Sequence, residues 1–400
     1  MKFHKNLFQP ILYTLHQIFF QEVKDHVAVQ KMLESQPKWG SRDRKAAANF
    51  TYEITRYWRK YWYILNLAPS QNLELMWGLI AVWMIVHDED LPEWSELKAF
   101  DPEKIRERIS ESATIFAVKE SIPDWLDAIG RKQLGTKWEA EMVAQNQEAA
   151  LVLRVNSSKI KAEKVVDMLL REDVVATSSP ELPSALVLDK RINLQNNAMY
   201  KEGMFEVQDI SSQMVTMLLD IKEGQIVIDA CAGAGGKSLH MADIMRNSGR
   251  IIAMDIEIKK LKELQRRVEK ARFNKVETVV LADPKMIERY RLFADRLLLD
   301  VPCSGSGVFR RNPDDKIKLS DEKLEKLVVT QQKILATYPE MLKKGGIMVY
   351  ATCSVLPIEN EQQINRFIEE NPNFKLIERK SILTSETGYD GFFMAKLMKS

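Results

Sequence analysis

Cysteine is scarce in this chain, which has three in 400 residues. Three thiols cannot build a disulfide framework, so we expect a reducing compartment and a cytoplasmic protein. Residues 1–8 hold neither a long apolar segment nor a small-residue cleavage site, so secretion is not expected. The longest apolar run, residues 77–86, is too short for a bilayer and predicts a core helix, with no membrane as partner. A net charge of +2 neither requires nor excludes nucleic acid.

The aromatic residues suggest where a first domain ends. All eight tryptophans lie within the first 140 residues. Apolar residues such as Ile11, Leu15 and Ile18 recur there with helical spacing, which predicts an all-α domain over residues 1–140 with an aromatic core. A small α/β unit is predicted over residues 146–210. Its expected strands are 151–155, 174–176 and 185–188, and its expected helix is 159–170.

Basic and aromatic residues alternate near the start of the helical domain. Seven Lys or Arg and two acids lie between residues 38 and 60, interleaved with Trp and Tyr. Cations meet phosphates and rings can stack on bases, so this segment is a candidate RNA-binding face. A solvated helix face is the alternative.

From residue 211 apolar strand-like runs alternate with helical stretches. The expected strands are 226–228, 251–254, 279–281, 297–299 and 347–350. The expected helices are 238–246, 259–272 and 321–342, the last with Ser320 as N-cap and two glycines just past its end. This alternation predicts an α/β, doubly wound, Rossmann-like domain with a parallel sheet over residues 211–400.

A glycine-rich turn follows the first of these strands and opens a helix. The turn consists of Cys231, Ala232, Gly233, Ala234, Gly235, Gly236 and Lys237. Such turns bring backbone N–H groups close to nucleotide ligands, although the spacing of a phosphate-binding P-loop is absent. Asp255 ends the next strand, where an acid can hold ribose hydroxyls, and Asp283 ends the third, facing the adenine edge. A nucleoside cofactor is predicted, and Cys231 is interpreted as a small packing residue.

The other two cysteines, Cys303 and Cys353, each stand where an apolar strand gives out. The carboxyl ends of parallel strands share one edge, so both thiols should lie there. No CxxC motif is present, which disfavours zinc and gives no support to a redox pair. Methylation of a pyrimidine at carbon-5 explains two thiols better. One thiolate adds at carbon-6, the activated carbon-5 attacks a methyl sulfonium, and a second group removes the carbon-5 proton.

Four segments resemble the Sun/Fmu family of RNA cytosine carbon-5 methyltransferases. These are residues 205–213, residues 300–307 with 310–314, residues 352–354, and residues 390–396. The glycine turn departs from the family, which usually has Ala-Pro where this chain has Gly233-Ala234 and often Thr where it has Ser238. We expect that departure to change the rigidity of the loop and not the class of ligand.

The resemblance implies a role for each matching residue. Cys353 would be the nucleophile and Cys303 would allow product release, as the base for the carbon-5 proton. Asp300 and Lys237 would contact the cytosine. The turn from Cys231 to Lys237, with Asp255, Asp283 and Asp300, would hold S-adenosylmethionine.

Residues 1–140 are more loosely similar to the NusB-like domain of the bacterial 16S rRNA enzymes. This similarity implies rRNA as the partner. A monomer is expected as the working form. A tRNA or other RNA substrate is the alternative. A third possibility, an assembly factor with a vestigial catalytic domain, is disfavoured by the intact Cys303, Cys353, Asp300 and Lys237.

Overall fold

The computed structural model describes residues 4–194, 196–283 and 285–400, and the chain separates into two compact units. The first, here called the helical unit, contains the described residues up to Gln147 together with Phe309–Lys323. The second, the sheet unit, contains Glu148–Val308 and Leu324–Ser400. The segment Phe309–Lys323, just past the first cysteine motif, thus belongs to the helical unit, although residues 211–400 were predicted to form one domain.

The helical unit is built from amphipathic helices around an aromatic core. Its helices up to residue 147, after a short 3₁₀ turn at Lys5–Leu7, are α1 Phe8–Phe20, α2 Asp25–Ser35, α3 Ser41–Arg56, α4 Trp58–Leu65, α5 Leu73–Val86, α6 Pro102–Ser112, α7 Phe116–Lys119, α8 Asp124–Leu134 and α9 Lys137–Gln145. Ile11, Leu15 and Ile18 are fully buried, as their spacing predicts. Trp58 and Trp62 are 3% and 1% exposed, so these rings form core.

Helix α5 contains the longest apolar run of the sequence. It buries nearly every residue from Met76 to Ile85 inside the helical unit, which confirms the prediction of a core helix. Across the described residues, no helix combines the length and the apolar character that a membrane span needs.

A small antiparallel sheet opens the sheet unit, with the strand order β2-β3-β1-β4. Its elements are β1 Leu151–Val155, α10 Ala162–Leu170, β2 Ala176–Ser178, β3 Ala185–Leu188, α11 Ala198–Lys201 and β4 Phe205–Val207. The predicted bounds of β1 and β3 are confirmed. β4 was not predicted, because a three-residue strand has too little periodicity to show in sequence. It pairs with β1 so that Arg154 lies opposite Glu206.

The large sheet has seven strands in the order β10-β11-β9-β8-β5-β6-β7. They are β5 Ile226–Asp229, β6 Arg250–Asp255, β7 Val276–Val280, β8 Ala294–Asp300, β9 Leu342–Thr352, β10 Phe374–Ile382 and β11 Phe392–Lys399. Strands β5 to β9 run parallel, and β11 pairs antiparallel with both β9 and β10. The predicted doubly wound, Rossmann-like fold is confirmed.

Helices connect and cover these strands. They are α12 Ile210–Leu218, α13 Gly236–Ile244, α14 Ile258–Ala271, α15 Lys285–Glu288, α16 Pro313–Lys318, α17 Asp321–Thr337, α18 Glu361–Glu370 and α19 Thr384–Thr387. Of these, α16 lies in the part of the chain that belongs to the helical unit.

Several predicted elements have bounds that differ from those expected, and three of them bear on the site. Helix α17 stops at Thr337 and not at residue 342, since Pro339 has no N–H to continue the helical bonds. β9 starts at Leu342, so the two glycines expected beyond the helix lie inside this strand. The third strand, expected at 279–281, is β7 Val276–Val280, so Asp283 lies beyond the strand and not at its end. The predicted cap at Ser320 is confirmed, because Lys323 N donates to its Oγ at 3.2 Å.

Candidate active site

The two motif cysteines meet at the carboxyl edge of the large sheet. β8 and β9 are parallel neighbours whose register sets Asp300 opposite Ala351, so the loops that follow both strands start side by side. Cys303 Sγ lies 3.3 Å from Cys353 Sγ. The loops also bond directly, since Gly307 N donates to Cys353 O at 2.9 Å. The predicted juxtaposition of the thiols is therefore present.

The two thiols differ in electrostatic environment. A hydrogen bond to Cys353, burial, and the negative charges of Cys353 and Glu359 raise the pKa of the Cys303 thiol well above its usual range. The Cys303 thiol therefore holds its proton more firmly than an ordinary cysteine does, with the Cys353 sulfur within hydrogen-bond distance.

An ion pair stands next to the thiols. Lys237, at the start of α13, places Nζ 2.6 Å from Asp300 Oδ2, and its ammonium also lies 5.3 Å from the centroid of the Phe392 ring. Burial alone would lower the pKa of Lys237, but the charge and hydrogen bond of Asp300 and the charge of Cys353 raise it overall. Lys237 therefore stays protonated, and its ammonium is a fixed positive charge at this edge of the sheet.

The glycine turn has the conformation that its sequence predicts. Gly233 and Gly235 adopt φ values of +54° and +86°, in the left-handed region. A Cβ on Gly235 would lie 2.4 Å from Leu264 Cγ, so this position also needs glycine for packing. Gly233 N donates to Asp255 Oδ2 at 2.8 Å, which joins the turn to the end of β6.

Asp229 is a buried residue of the site that was not among the residues predicted from the sequence. Its Oδ2 accepts a 2.6 Å hydrogen bond from Ser238 Oγ, which ties the end of β5 to helix α13. Burial raises the pKa of this carboxyl to about 7, even though the bond from Ser238 lowers it. The hydroxyl at position 238 thus has a structural role as the donor to Asp229. Either Ser or Thr can provide this hydroxyl.

A cleft of about 610 Å³ opens at the same edge, a volume within the usual range for small-molecule sites. Four predicted cofactor residues line it: Cys231, Asp255, Asp283 and Asp300. The turn residues Ala232 to Gly236 are not part of the lining and reach the cleft through the bond from Gly233 to Asp255.

The cleft also has walls that the sequence analysis did not identify. Ile256, which is 71% exposed, Leu281 and Ile287 are apolar, and Tyr338 adds a ring. Acids beside an apolar wall suit a ligand with sugar hydroxyls and a flat base. The position of Ile256, directly after the acid that ends β6, was a signal that could have been used. The described residues contain no group of three or more His, Cys, Asp or Glu able to hold a metal ion.

The predicted RNA-binding face has fewer exposed cations than its sequence suggests. The Arg44 guanidinium donates to three carbonyl oxygens near the end of α2, and Arg56 and Arg59 likewise donate to backbone carbonyls of the helical unit. Three exposed cations remain for a partner: Lys38, Arg42 and Lys45. The candidate RNA-binding face is thereby reduced to these three side chains.

Family models match two parts of the chain. A model described as 16S rRNA methyltransferase RsmB/F matches residues 216–398. A second, described as an RsmF/B-like methyltransferase ferredoxin-like domain, matches residues 122–195. The second match overlaps the small antiparallel sheet but begins within the helical unit.

Named relatives are found among bacterial proteins. The chain is 34% identical over 295 residues to ribosomal RNA small subunit methyltransferase B of Pasteurella multocida, covering 69% of this chain and 65% of the relative. It is 33% identical over 286 residues to the protein of that name from Photorhabdus laumondii, covering 69% and 66%. The matched region thus spans just under two thirds of the length of these relatives.

Solved structures share the fold. A crystal structure of PH0851 superposes over 100% of both chains with a TM-score of 0.85 at 22% identity. NSun6 from Pyrococcus horikoshii, solved with SFG, has a TM-score of 0.64 at 20% identity, covering 69% of this chain and 98% of its own. At such identities the likeness concerns the fold.

Proposed function

Because the chain belongs to the RsmB/F family of 16S rRNA methyltransferases, we propose that it methylates carbon-5 of a cytosine in RNA. The proposed substrate is 16S rRNA. The proposal includes S-adenosylmethionine as methyl donor and a covalent adduct between Cys353 and the base. One observation carries it: two thiols 3.3 Å apart, beside the pair of Lys237 and Asp300, at the edge of the sheet where the cleft opens.

The cleft has the residues to hold the methyl donor. Asp255 would accept hydrogen bonds from the ribose hydroxyls, Ile256 would pack against the adenine face, and Asp283 would meet its edge. The bound donor would supply a methyl group on a sulfonium. Asp255 also holds Gly233 N, so the same carboxylate would shape the turn and bind the ligand.

In the first step the Cys353 thiolate adds to carbon-6 of the cytosine. The carbon–sulfur bond forms as the ring double bond shifts its electrons toward the ring nitrogen, and carbon-5 becomes a nucleophile able to take a methyl group. The Lys237 ammonium, fixed on Asp300, would offset the negative charge that develops on the ring.

Release is assigned to Cys303. Once Cys353 is bonded to carbon, its hydrogen bond with Cys303 and its negative charge are both lost, so Cys303 would give up its proton to solvent water more readily. The Cys303 thiolate would then remove the proton from carbon-5. The electrons re-form the ring double bond, and the bond from Cys353 to carbon-6 breaks. The first sulfur thus prepares the second.

The test is methyl transfer to defined RNAs. Purified protein with tritium-labelled S-adenosylmethionine should label unmodified 16S rRNA transcribed in vitro, and bisulfite sequencing should place the label on one cytosine. Labelling of tRNA transcripts alone would favour the alternative substrate. Binding of 16S rRNA with no label in any transcript would instead indicate an assembly factor with a vestigial catalytic domain.

A further inference from the structure

A buried carboxylate lies behind the first cysteine loop. Glu359, at the end of a 3₁₀ turn formed by Pro357–Glu359, is fully buried. Its oxygens accept hydrogen bonds from Ser304 N at 2.8 Å, Ser304 Oγ at 2.5 Å and Gln331 Nε2 at 3.0 Å. These donors are neutral, and two of them belong to the residue next to Cys303. A buried carboxylate is stable only with such donors, so the loop and the acid hold each other in place.

The next residue makes the matching contacts with the second loop. Asn360 is 2% exposed, and its two side-chain atoms reach the residues on either side of Cys353. Its Oδ1 accepts from Thr352 Oγ1 at 2.5 Å, and its Nδ2 donates to Ser354 O at 2.9 Å. The amide therefore fixes the backbone that carries the Cys353 thiol.

Hydroxyl groups then join the two loops to each other. Ser354 Oγ lies 3.2 Å from Ser304 Oγ and 2.9 Å from Ser306 Oγ. Ser306 Oγ also accepts from Val355 N at 3.0 Å. Each loop is thus held from behind by one residue of a single turn and from the side by the other loop.

We propose that Glu359 and Asn360 are positioning residues with separate duties, Glu359 for Cys303 and Asn360 for Cys353. The inference deepens the proposed function and rests on it. Because the two residues are consecutive, one turn of backbone sets the distance between the sulfurs. Neither side chain contacts a sulfur in the contacts described above, so each acts through the residues next to its cysteine.

The division of labour predicts two different kinetic defects. Loosening Cys303 should slow the removal of the carbon-5 proton and leave the attack intact, so RNA-linked protein should accumulate. Loosening Cys353 should slow the attack, so that less RNA-linked protein forms. A residue that merely stabilised the fold would impair both steps together.

The experiment compares two RNA probes. Ordinary 16S rRNA transcript shows whether the adduct accumulates. A transcript with 5-fluorocytidine reports the steps up to methyl transfer and not the release, because the fluorine on carbon-5 cannot leave as a proton does and every methylated adduct persists. Adducts are counted on denaturing gels in the presence of S-adenosylmethionine, with the full chain.

For Glu359→Ala we expect turnover to fall about 10- to 100-fold, the usual cost of a misplaced reacting group. The adduct on ordinary RNA should rise, while the rate of adduct formation on fluorinated RNA stays within about twofold of the unaltered protein. Glu359→Gln keeps the shape and one acceptor oxygen for Ser304 N and Gln331 Nε2, while its amide can donate to Ser304 Oγ, and it should restore much of the turnover. For Asn360→Asp we expect adduct formation on fluorinated RNA to fall about 10-fold, because a carboxylate oxygen would face Ser354 O.

Matched controls lie in the same helix region. Glu361→Gln alters a partly exposed acid that accepts from Ser381 Oγ at 2.6 Å, and Asn365→Asp alters an exposed amide. Both should behave as the unaltered protein. Circular dichroism should show that both Glu359→Ala and Asn360→Asp are folded. If the two folded variants slowed adduct formation equally and neither accumulated adduct on ordinary RNA, the division of labour would be wrong.

A measurement without RNA separates this inference from the proposed function. Diamide oxidises two adjacent thiols to a disulfide while its azo bond is reduced to a hydrazine, and peptide mapping by mass spectrometry identifies the Cys303–Cys353 link. The initial rate should fall about 10-fold in Glu359→Ala and in Asn360→Asp and remain unchanged in both controls. Unchanged rates in the two variants would overturn the positioning role, whether or not the chain methylates RNA.

Discussion

The helical unit and the sheet unit use their charged side chains in opposite ways. At the edge of the large sheet, Lys237 and Asp300 form an ion pair beside the thiols and the cleft. In the helical unit, Arg44 and Lys316 donate to carbonyl and amide oxygens of the same unit. Position at the end of a parallel strand therefore predicts a side chain at the cleft better than a high count of basic residues along a helix predicts one that is free for a partner.

Lys316 is a buried amine whose described hydrogen bonds all lie within the helical unit. It lies in α16, is 1% exposed, and donates to Glu120 O at 2.7 Å and Asn146 Oδ1 at 2.8 Å. Burial, with a smaller effect of the Arg56 charge, lowers the pKa of this amine to about 7. The charge here serves to hold the inserted segment Phe309–Lys323 in its unit, and no surface is left for a ligand.

The largest expected effect separates the two thiols. Cys353→Ala should reduce methylation by about 10³-fold or more and give no adduct, because the nucleophile is gone. Cys303→Ala should still attack and accept the methyl group but fail to release, so RNA-linked protein should build up. Denaturing gels of labelled RNA measure both. Adducts in Cys353→Ala and none in Cys303→Ala would exchange the two roles.

Removing Asp255 should weaken the binding of S-adenosylmethionine by about 1–3 kcal/mol, the cost of leaving polar partners unpaired. Its carboxylate holds Gly233 N as well as the proposed ribose hydroxyls, so the turn should loosen too. Titration calorimetry of Asp255→Ala gives the affinity. Glu263→Ala, at a partly exposed acid paired with Arg266 on α14, is the control. Binding of NAD in place of S-adenosylmethionine would contradict the assignment of the cleft.

Two neighbouring arginines test the comparison inside the helical unit. Arg44→Ala should lower the free energy of unfolding by about 1–3 kcal/mol, because it removes charged hydrogen bonds to Leu33 O and Gln36 O. Arg42→Ala, at an exposed position, should change it by less than about 0.5 kcal/mol. Denaturant titration measures both, and equal small effects would show that the Arg44 contacts contribute little.

The same pair distinguishes structure from recognition. If the exposed cations meet RNA, Arg42→Glu should reduce affinity for a 16S rRNA transcript and lower the slope of log affinity against log salt by about one. Filter binding at several salt concentrations measures the slope. An unchanged affinity and slope would leave this segment as a solvated helix face.

The smallest effect concerns pH. The pKa of Lys316 is about 7 in the folded protein and near 10.5 when unfolded, so between these values the unfolded chain binds more protons. Stability should therefore rise with pH, by about 1 kcal/mol from pH 7 to pH 8. Lys316→Met should flatten this rise. Asp25, with a pKa raised to about 6 by burial and the charge of Asp314, acts in the lower window from pH 4 to 6, with the opposite sign.

The sequence predicted the site where topology allowed it. Cys303 and Cys353 could be brought together in advance, because parallel strands end at one edge and both cysteines follow strands. Asp255 could be placed for the same reason, and Asp283 less well, since its distance beyond β7 depends on the loop. Sequence periodicity describes single elements, so these strand ends were accessible to it.

Contacts between distant segments were not predictable in this way. Glu359 lies six positions after Cys353, and nothing in that spacing says that a 3₁₀ turn folds back under the Cys303 loop. The return of Phe309–Lys323 to the helical unit is set by buried partners such as Glu120 and Asn146, which are far away in sequence. Those partners become visible only when the chain is folded.

Strand β11 sets an order of events during synthesis. It lies between β9 and β10, with Phe393 opposite Thr352. Just before the strand, Gly391 N donates a hydrogen bond to Gly307 O at 2.8 Å. The two backbones are so close that a Cβ on Gly307 would lie 2.0 Å from Gly391 O. The ribosome synthesises the residues of the glycine turn, the cleft and both cysteines before those of this strand. Proteins grow from the amino terminus and fold as their parts emerge. A nascent chain therefore carries its thiols on an unfinished sheet, and it gains a closed site only when residues 391–399 are free to pair.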